Sequence, residues 1–213
     1  MDEKANFIRK FWQKRNEVIE DPRIATHFKD DDAIHYDFNL VKQFCHKNKS
    51  LLDLGAGACT LANMLSESVR EIMAVDFSES LMKKVKSPSN VYKVIADLRN
   101  FYVKTTFDII LLFGVMNYFF CEKEIFSLYD NIKKMMNKNS MLIVKHQMGI
   151  RETVVIDNYS EEIKDHYIAI YRQRDEEVNL LKKIFKVTQI IDIYPPSLNK
   201  WENTHFYALI CTK

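Results

Sequence analysis

Three aspartates end or follow successive apolar segments of this 213-residue chain. Asp53 lies in LLDLGAGACT, Asp76 in AVDFSES and Asp97 in VIADLRNF. Taken singly, each aspartate is typical of a turn or a helix cap. In a parallel α/β sheet, however, the carboxyl ends of the strands meet at one edge, where ligands bind. A carboxylate that ends the second strand can accept hydrogen bonds from both hydroxyls of a ribose. The three positions together therefore predict a site for a ribose-bearing ligand.

The turn after the first aspartate narrows the choice of ligand. Gly55 and Gly57 are spaced as in a dinucleotide-binding turn, but Thr60 occupies the position where G-x-G-x-x-G requires its last glycine. No Gly-Lys-Ser/Thr follows, so a P-loop is also excluded. Asp53 would repel an anion at this turn. We therefore expect a ligand without phosphates that carries a positive charge and an amino group.

The surrounding elements follow an alternating order. Apolar runs predict strands at 50–54, 71–75, 91–95, 107–113 and 140–145, with amphipathic helices at 59–67, 78–86 and 122–137 and a helical first fifty residues. This order favours a parallel sheet covered by helices on both faces. The last two predicted strands, KVTQIIDIY and HFYALICTK, are separated by only about ten residues with two prolines. Because a parallel crossover needs a dozen or more residues, we expect these strands to pair antiparallel.

Together, LLDLGAGACT, AVDFSES, VIADLRNF and FDIILLFGVMNYF resemble the successive motifs of the class I S-adenosylmethionine-dependent methyltransferases, over roughly residues 48–148. The antiparallel closing strand is also typical of this family. The family's turn commonly reads D-x-G-x-G-x-G, and Cys59 stands where its third glycine is usual. The resemblance implies an α/β fold of three layers (α/β/α), with a Rossmann-like doubly wound sheet of seven strands whose last strand is antiparallel.

The resemblance also implies S-adenosylmethionine as the cofactor, with S-adenosylhomocysteine as its product. Asp53 would face the methionine amino group, Asp76 would hold the ribose hydroxyls and Asp97 would accept from the adenine amino group. The other implied cofactor positions lie beside these three: Gly55, Ala56 and Gly57 under the methionine and ribose, Phe77 and Ser78 beside the adenosine, Leu98 with its backbone donor, and Phe113 and Gly114 at the sulfonium end.

Candidates for acceptor chemistry follow the fourth and fifth strands. His146 is our expected base, because a histidine titrates in the useful pH range and this one ends a predicted strand; a structural histidine is at least as common there. Asn117 and Tyr118 follow the fourth strand, and Lys145 precedes His146.

Before the sheet, His35 and Tyr36 are further candidates, because this family often folds an N-terminal segment over the cofactor. Tyr36 and Asn117 join His146 as candidate catalytic residues, and His35 and Tyr118 are candidates for binding the acceptor.

The chain is expected to be one domain over residues 1–213, with residues 1–47 as a helical cap over the cofactor. Residues 150–175 are a flap-like insertion, in which TVVID and HYIAIYR predict an antiparallel pair. The flap is expected to act either as a lid or as a dimer contact. Arg151 and Arg172, with Arg174, bracket it and could meet a phosphate or carboxylate of the substrate, although arginines are common on solvated surfaces.

Composition limits the class of protein. Lys and Arg number 31 against 29 Asp and Glu, which argues against a nucleic-acid partner. Four scattered cysteines favour neither a metal site nor a disulfide framework. The charged start is unlike a signal peptide, and the longest apolar run is too short to span a bilayer. We therefore expect a cytoplasmic monomer or homodimer that has no metal and no membrane contact.

Taken together, these observations predict a methyltransferase acting on oxygen or nitrogen of a small molecule. Small methyltransferases of the family that the chain resembles occur in bacterial capsule and secondary-metabolite pathways, so the resemblance implies a sugar, a nucleotide sugar or a phosphorylated metabolite as the acceptor. The alternatives are an RNA or protein methyltransferase, a non-catalytic S-adenosylmethionine-binding partner subunit and, more distantly, a nicotinamide enzyme.

Overall fold

The computed structural model describes residues 3–26, 33–161, 164–199 and 201–213. Its helices are α1 (Glu3–Val18), α2 (Pro22–Thr26), α3 (Ala33–Lys42), α4 (Thr60–Leu65), α5 (Glu79–Lys84), α6 (Glu122–Lys134) and α7 (Arg174–Lys182). Its strands are β1 (Ser50–Leu54), β2 (Glu71–Asp76), β3 (Val91–Ile95), β4 (Phe107–Phe113), β5 (Met136–Gly149), β6 (Val154–Ser160), β7 (Asp165–Tyr171), β8 (Lys186–Asp192) and β9 (Thr204–Thr212). Among the helices of these described ranges, none combines the length and the apolar character needed to cross a membrane.

Seven strands form one sheet in the order β3-β2-β1-β4-β5-β9-β8. The first five pair in parallel, whereas β9 runs antiparallel to both β5 and β8. The expected doubly wound α/β sheet with an antiparallel closing strand is therefore confirmed. The remaining two strands, β6 and β7, form a separate antiparallel hairpin.

The boundary between α6 and β5 differs from the prediction. The helix expected at 122–137 ends at Lys134, and the strand begins at Met136 rather than at residue 140. Met135 and Met136 continue an apolar helical pattern in sequence, but Met136 pairs with Phe107 of β4, and both methionines are buried against the sheet. Packing in the core therefore outweighs the local helical pattern here.

The two faces of the sheet carry separate apolar cores. Leu52, Leu142 and Val144 face α6 and α7, whereas Leu51 and Ile143 face α3 and α4. Because side chains alternate along a strand, the polar residues near the carboxyl ends of β1 and β5 are also divided between the two faces. The side chains of Asp53 and Lys145 share the α3 face, and that of His146 shares the α6 and α7 face.

The N-terminal helix and the hairpin pack against each other beside the carboxyl edge of the sheet. Ala5, Ile8 and Phe11 recur at helical spacing in α1 and are buried. The Phe11 ring lies 5.0 Å from that of Tyr167 in β7. Arg15 is also buried and donates from Nε to the carbonyl of Ala25 at 2.8 Å, which ties α1 to α2.

Candidate functional site

A cavity of about 660 Å³ opens at the carboxyl ends of β1, β2 and β4. Its volume is within the range of small-molecule and cofactor sites. Ten of the eleven predicted cofactor positions line it: Asp53, Gly55, Ala56, Gly57, Asp76, Phe77, Asp97, Leu98, Phe113 and Gly114. Ser78 does not line it; the Ser78 hydroxyl instead accepts from the backbone N–H of Leu81 and from Nδ2 of Asn16.

The glycine turn forms the floor of the cavity, and its backbone comes so close to neighbouring segments that it has no room for side chains at two positions. Gly55 has φ +82°, and a Cβ there would lie 2.3 Å from Cγ2 of Val115. Gly57 has φ +53°, and a Cβ there would lie 2.7 Å from Cγ2 of Thr26. Only glycine fits both requirements without strain. Cys59 also has a left-handed φ of 58°, so the backbone keeps the conformation that a third glycine would adopt.

Asp76 is held by the same turn. Its Oδ2 accepts from the N–H of Gly57 at 2.9 Å, and its Oδ1 accepts from the N–H of Ser78 at 2.8 Å. Burial raises the pKa of Asp76, and these backbone hydrogen bonds oppose that rise. Each carboxylate oxygen has a second lone pair, so the fixed carboxylate can accept a pair of neighbouring hydroxyls.

Asp97 lies between two arginines at the β3 end of the cavity. The Arg9 guanidinium of α1 bonds to Oδ2 of Asp97, and the backbone N–H of Arg99 donates to Oδ1 at 3.0 Å. The Arg99 side chain lies 3.6 Å from the same carboxylate. No sequence motif indicates Arg9. It lies 88 positions from Asp97 in the chain, and only the fold brings the two side chains together.

Asp53 lies in the floor of the cavity and is buried, with only 4% of its surface exposed. Burial, together with the negative charges of Asp76 and Asp37, raises the pKa of this carboxyl group to about 7, and the charge of Lys145 limits the rise. At neutral pH the group is therefore divided between its protonated and charged forms.

A polar cluster of Asp37, Lys145 and Tyr194 lines the cavity on the α3 face. Lys145 Nζ donates to Asp37 Oδ2 at 2.8 Å and to the Tyr194 hydroxyl at 2.8 Å, and that hydroxyl donates to Asp37 Oδ1 at 2.7 Å. No motif indicates Asp37 or Tyr194. The only signal in the sequence is a lysine directly after the apolar run 141–144 of β5.

His146 lies on the opposite face of β5 from Lys145, and it does not line the cavity. Its Nε2 is 3.8 Å from Oε2 of Glu177 in α7, and its side chain is 1% exposed. Glu177 also accepts from the Tyr129 hydroxyl at 2.8 Å and pairs with Nε of Arg172 at 3.2 Å. Burial raises the pKa of Glu177, but the neighbouring His146 and Arg172 and the hydrogen bond from Tyr129 lower it below its ordinary value overall. The expected base is therefore separated from the cavity by the sheet.

Asn117 and Tyr118 line the cavity, in the 3-10 turn that follows β4. Asn117 is 7% exposed, and its Oδ1 is buried without a hydrogen-bond partner among the described residues. Such an orphaned oxygen is costly unless a ligand satisfies it. It therefore marks a position for a hydrogen-bond donor.

The other acceptor candidates lie away from the cavity lining. Arg172 is buried and donates to the carbonyls of Phe119 and Met116 at 2.8 and 3.2 Å, so it supports the turn from behind. Arg151 and His35 are exposed. The Tyr36 ring packs on that of Tyr194, 5.7 Å away, and is 42% exposed.

An aromatic wall, consisting of Trp12, Tyr118, Tyr167 and Tyr171, closes the cavity beyond β4. The hydroxyls of Tyr118 and Tyr167 are 3.4 Å apart, and those of Tyr167 and Tyr171 are 2.9 Å apart. Tyr167 and Tyr171 share one face of β7 because they are four residues apart in a strand. The sequence predicts the hairpin but not which of its faces is turned to the site.

Comparison with known proteins extends these observations. Residues 38–193 match the DREV methyltransferase family. Among curated proteins, no sequence matches this chain.

Solved structures share its fold. The N-methyltransferase NodS from Bradyrhizobium japonicum WM9, in complex with S-adenosylhomocysteine, has a TM-score of 0.68 at 12% identity, over 98% of each chain. The 1,6-didemethyltoxoflavin-N1-methyltransferase of Burkholderia thailandensis has a TM-score of 0.73 at 14% identity, over 97% of this chain and 90% of the other. A methyltransferase from Leishmania major reaches 0.74 at 14% identity, over 97% of this chain and 83% of the other.

At these identities the structural likeness establishes the fold, which is that of the class I methyltransferases, as the motifs predict. The family match spans well over half of the sequence. The chain therefore belongs to the DREV methyltransferase family.

Proposed function

We propose that this protein transfers a methyl group from S-adenosylmethionine to an oxygen or nitrogen atom of a small molecule. The fit of the cavity to this donor supports the proposal: Asp76 has free lone pairs for a ribose diol, and Asp53 suits an ammonium group. NodS and the 1,6-didemethyltoxoflavin-N1-methyltransferase, which have the same fold, were solved as complexes with S-adenosylhomocysteine.

The charge of the cavity favours a cationic donor. Its described lining has four aspartates, at positions 37, 53, 76 and 97, and two basic side chains, Arg99 and Lys145. When bound, the cofactor supplies a methyl group that is activated by a positively charged sulfur. Arg9 and Arg99 offset the charge of Asp97, and Lys145 offsets that of Asp37. Asp53 and Asp76 are therefore the carboxylates that attract the sulfonium, and an aromatic ring such as Phe113 adds cation–π attraction.

The observation that carries the acceptor half of the proposal is the aromatic wall with the unpartnered Oδ1 of Asn117 beside it. Aromatic walls bury flat or apolar groups, and a single orphaned acceptor selects a molecule with an N–H or O–H at that point. A small acceptor with a ring or short apolar body and one donor group fits this lining.

The excess of carboxylates also bears on the charge of the acceptor. The two arginines expected to meet a phosphate or carboxylate, Arg151 and Arg172, do not line the cavity. A phosphorylated sugar or nucleotide sugar would meet mainly negative charge there. We therefore favour a neutral or cationic acceptor.

Alignment is the main task of the protein in this reaction. Methyl transfer is an in-line displacement, and holding donor and acceptor in register accounts for much of the rate. Asn117 would orient the acceptor through its Oδ1, whereas an amide cannot take up a proton at neutral pH. With His146 on the far face of the sheet, we propose Asn117 as an orienting residue and assign no base.

The test is formation of S-adenosylhomocysteine by the purified protein with a panel of small amines and phenols, and with sugar phosphates as the contrasting set. We expect turnover in the first set, and we expect Asn117→Ala to lower kcat/KM by about tenfold or more without weakening cofactor binding. Asp76→Ala is the matched donor-side variant, and it should weaken cofactor binding itself. Preference for sugar phosphates, or cofactor binding without turnover across the panel, would contradict the proposal.

A further inference from the structure

The methionine end of the proposed cofactor carries two opposite charges, an α-ammonium and an α-carboxylate. Asp53 accounts for the ammonium, but the carboxylate must enter a cavity whose described lining has four aspartates. An unpaired anion there would be repelled at short range. A cation must therefore offset this charge, and the described lining contains two, Arg99 and Lys145.

Arg99 is committed to groups at the β3 end of the cavity. Its Nε lies 3.4 Å from Glu124, and its guanidinium donates to the carbonyl of Tyr118 at 3.2 Å. It also lies 3.6 Å from Asp97 and 4.8 Å from the centre of the Phe119 ring. Asp97 is the residue that the motifs assign to the adenine, at the opposite end of the cofactor from the carboxylate.

Lys145 lies at the methionine end. Its backbone pairs with Phe113 across β4 and β5, and its carbonyl accepts from the N–H of Gly114 at 2.7 Å. Its Nζ is 5.0 Å from the centre of the Phe113 ring, and its charge acts on Asp53. Phe113 and Gly114 are the positions that the motifs assign to the sulfonium end.

Among the residues that the structure describes, the ammonium of Lys145 uses two of its three donors. An ammonium carries three N–H groups, and two of them go to Asp37 and to the hydroxyl of Tyr194. The side chain is 9% exposed and lines the cavity. Burial alone would lower the pKa of Lys145, but the charge of Asp37 and its hydrogen bond raise it above its ordinary value, so the group stays charged.

We propose that Lys145, held in place by Asp37 and Tyr194, binds the α-carboxylate of the cofactor while Asp53 binds the α-ammonium. The inference rests on the proposed function and extends it to two-point recognition of a free amino-acid end. Asp37 and Tyr194 are positioning residues in this arrangement, since they act through Lys145.

The test separates the carboxylate from the rest of the ligand. Isothermal titration at pH 8 compares S-adenosylhomocysteine, its decarboxylated analogue and 5′-methylthioadenosine, which lacks the whole amino-acid end. We expect the wild-type protein to prefer S-adenosylhomocysteine over the decarboxylated analogue by about tenfold to a hundredfold, the effect of one hydrogen-bonded charge pair. In Lys145→Met this preference should disappear, while 5′-methylthioadenosine binds as it does to the wild type.

A second variant guards against a folding defect, because Lys145→Met leaves the Asp37 carboxylate buried and unpaired. The double variant Asp37→Asn/Lys145→Met removes both charges and should show the same loss of preference. A preference that persists in both variants would overturn the assignment of Lys145, as would an equal loss of affinity for all three ligands. Failure of the wild-type protein to bind any of the three would instead contradict the proposed function.

Discussion

Asp53 shows how burial changes the chemistry of a single side chain. In sequence it is one carboxylate before a glycine turn. In the structure, its burial and the nearby charges of Asp76 and Asp37 raise its pKa to about 7. The folded protein without ligand therefore binds this proton more tightly than the unfolded chain does. The free energy of unfolding that this proton contributes is lost as pH rises from the ordinary carboxyl range through about 7.

Ligand binding should reverse this preference. If Asp53 receives the α-ammonium, the bound cation lowers the pKa of Asp53, and the carboxyl group releases its proton. At pH 6 we expect S-adenosylhomocysteine to bind with net proton release, and its affinity to rise with pH until about 7. Calorimetry in two buffers of different ionisation enthalpy measures the released protons. Asp53→Asn should bind without the release, and an identical buffer dependence in both proteins would contradict the assignment.

Cys59 shows the cost of replacing a glycine. Its φ of 58° is in the left-handed region, which disfavours a residue with a Cβ by about 1–2 kcal/mol. Its side chain is fully buried. Cys59→Gly and Cys59→Ala both remove the thiol, but only the first relieves the backbone.

We therefore expect Cys59→Gly to be more stable than Cys59→Ala by about 1 kcal/mol, measured by urea unfolding. This is the reverse of the usual order, in which glycine is the less stable residue. Ala62→Gly in the neighbouring helix α4 is the control, and it should lose about 1 kcal/mol. If Cys59→Gly were the less stable of the two cysteine variants, the left-handed strain would be disproved.

At the scale of elements, one buried ion pair joins the hairpin, α7 and the turn after β4. Arg172 follows β7 directly, and its guanidinium donates to the carbonyls of Met116 and Phe119. Glu177 of α7 is completely buried and lies 3.2 Å from Nε of the same arginine. The turn that carries Asn117 is therefore supported from the side opposite the cavity.

Removing one partner of the Arg172–Glu177 pair should lower the free energy of unfolding more than removing both charges. Arg172→Met leaves the Glu177 charge buried, and we expect a loss of about 3–5 kcal/mol in the free energy of unfolding. Adding Glu177→Gln should recover part of this loss, because the remaining charge is gone. Chemical denaturation of the four proteins of this double-mutant cycle measures the coupling. Strictly additive losses would show that the two side chains act independently.

At the scale of the whole molecule, the cavity draws residues from both ends of the chain. Trp12 of α1, Asp76 of β2, Tyr171 of β7 and Phe206 of β9 all line it. A ligand bound there contacts segments that are distant in sequence, so its binding stabilises the fold as a unit.

S-adenosylhomocysteine at about one hundred times its Kd should add about 2.7 kcal/mol to the free energy of unfolding. For a domain of this size, that raises Tm by roughly 5–11 °C. Differential scanning calorimetry measures the shift, with Asp76→Ala as the variant that should lose it. NAD is the comparison ligand, since a cavity rich in carboxylates should not admit its phosphates. A larger shift with NAD would mean that the turn binds a dinucleotide.

The residues near the glycine turn could be predicted because their positions depend on neighbours in sequence. A strand followed by a tight turn brings Asp53, Gly55 and Gly57 to one place whatever the rest of the chain does. The order of apolar runs then determines that Asp76 and Asp97 reach the same edge. The sheet topology, and the presence of ten of the eleven predicted cofactor positions at the cavity, follow from this local information.

Other parts of the site depended on tertiary structure for a physical reason. Leu142 to Gly149 of β5 are all buried, so no alternation of apolar and polar residues marks its two faces. Whether Lys145 or His146 faces the cavity depends on the register of β5 alone. A shift of one residue would exchange the two faces of the strand. Asp37 and Tyr194, which hold the Lys145 ammonium, lie 108 and 49 positions from Lys145 in the chain. The sequence by itself determined the fold and the cofactor edge, whereas only the folded chain decided which charges and aromatic rings meet there.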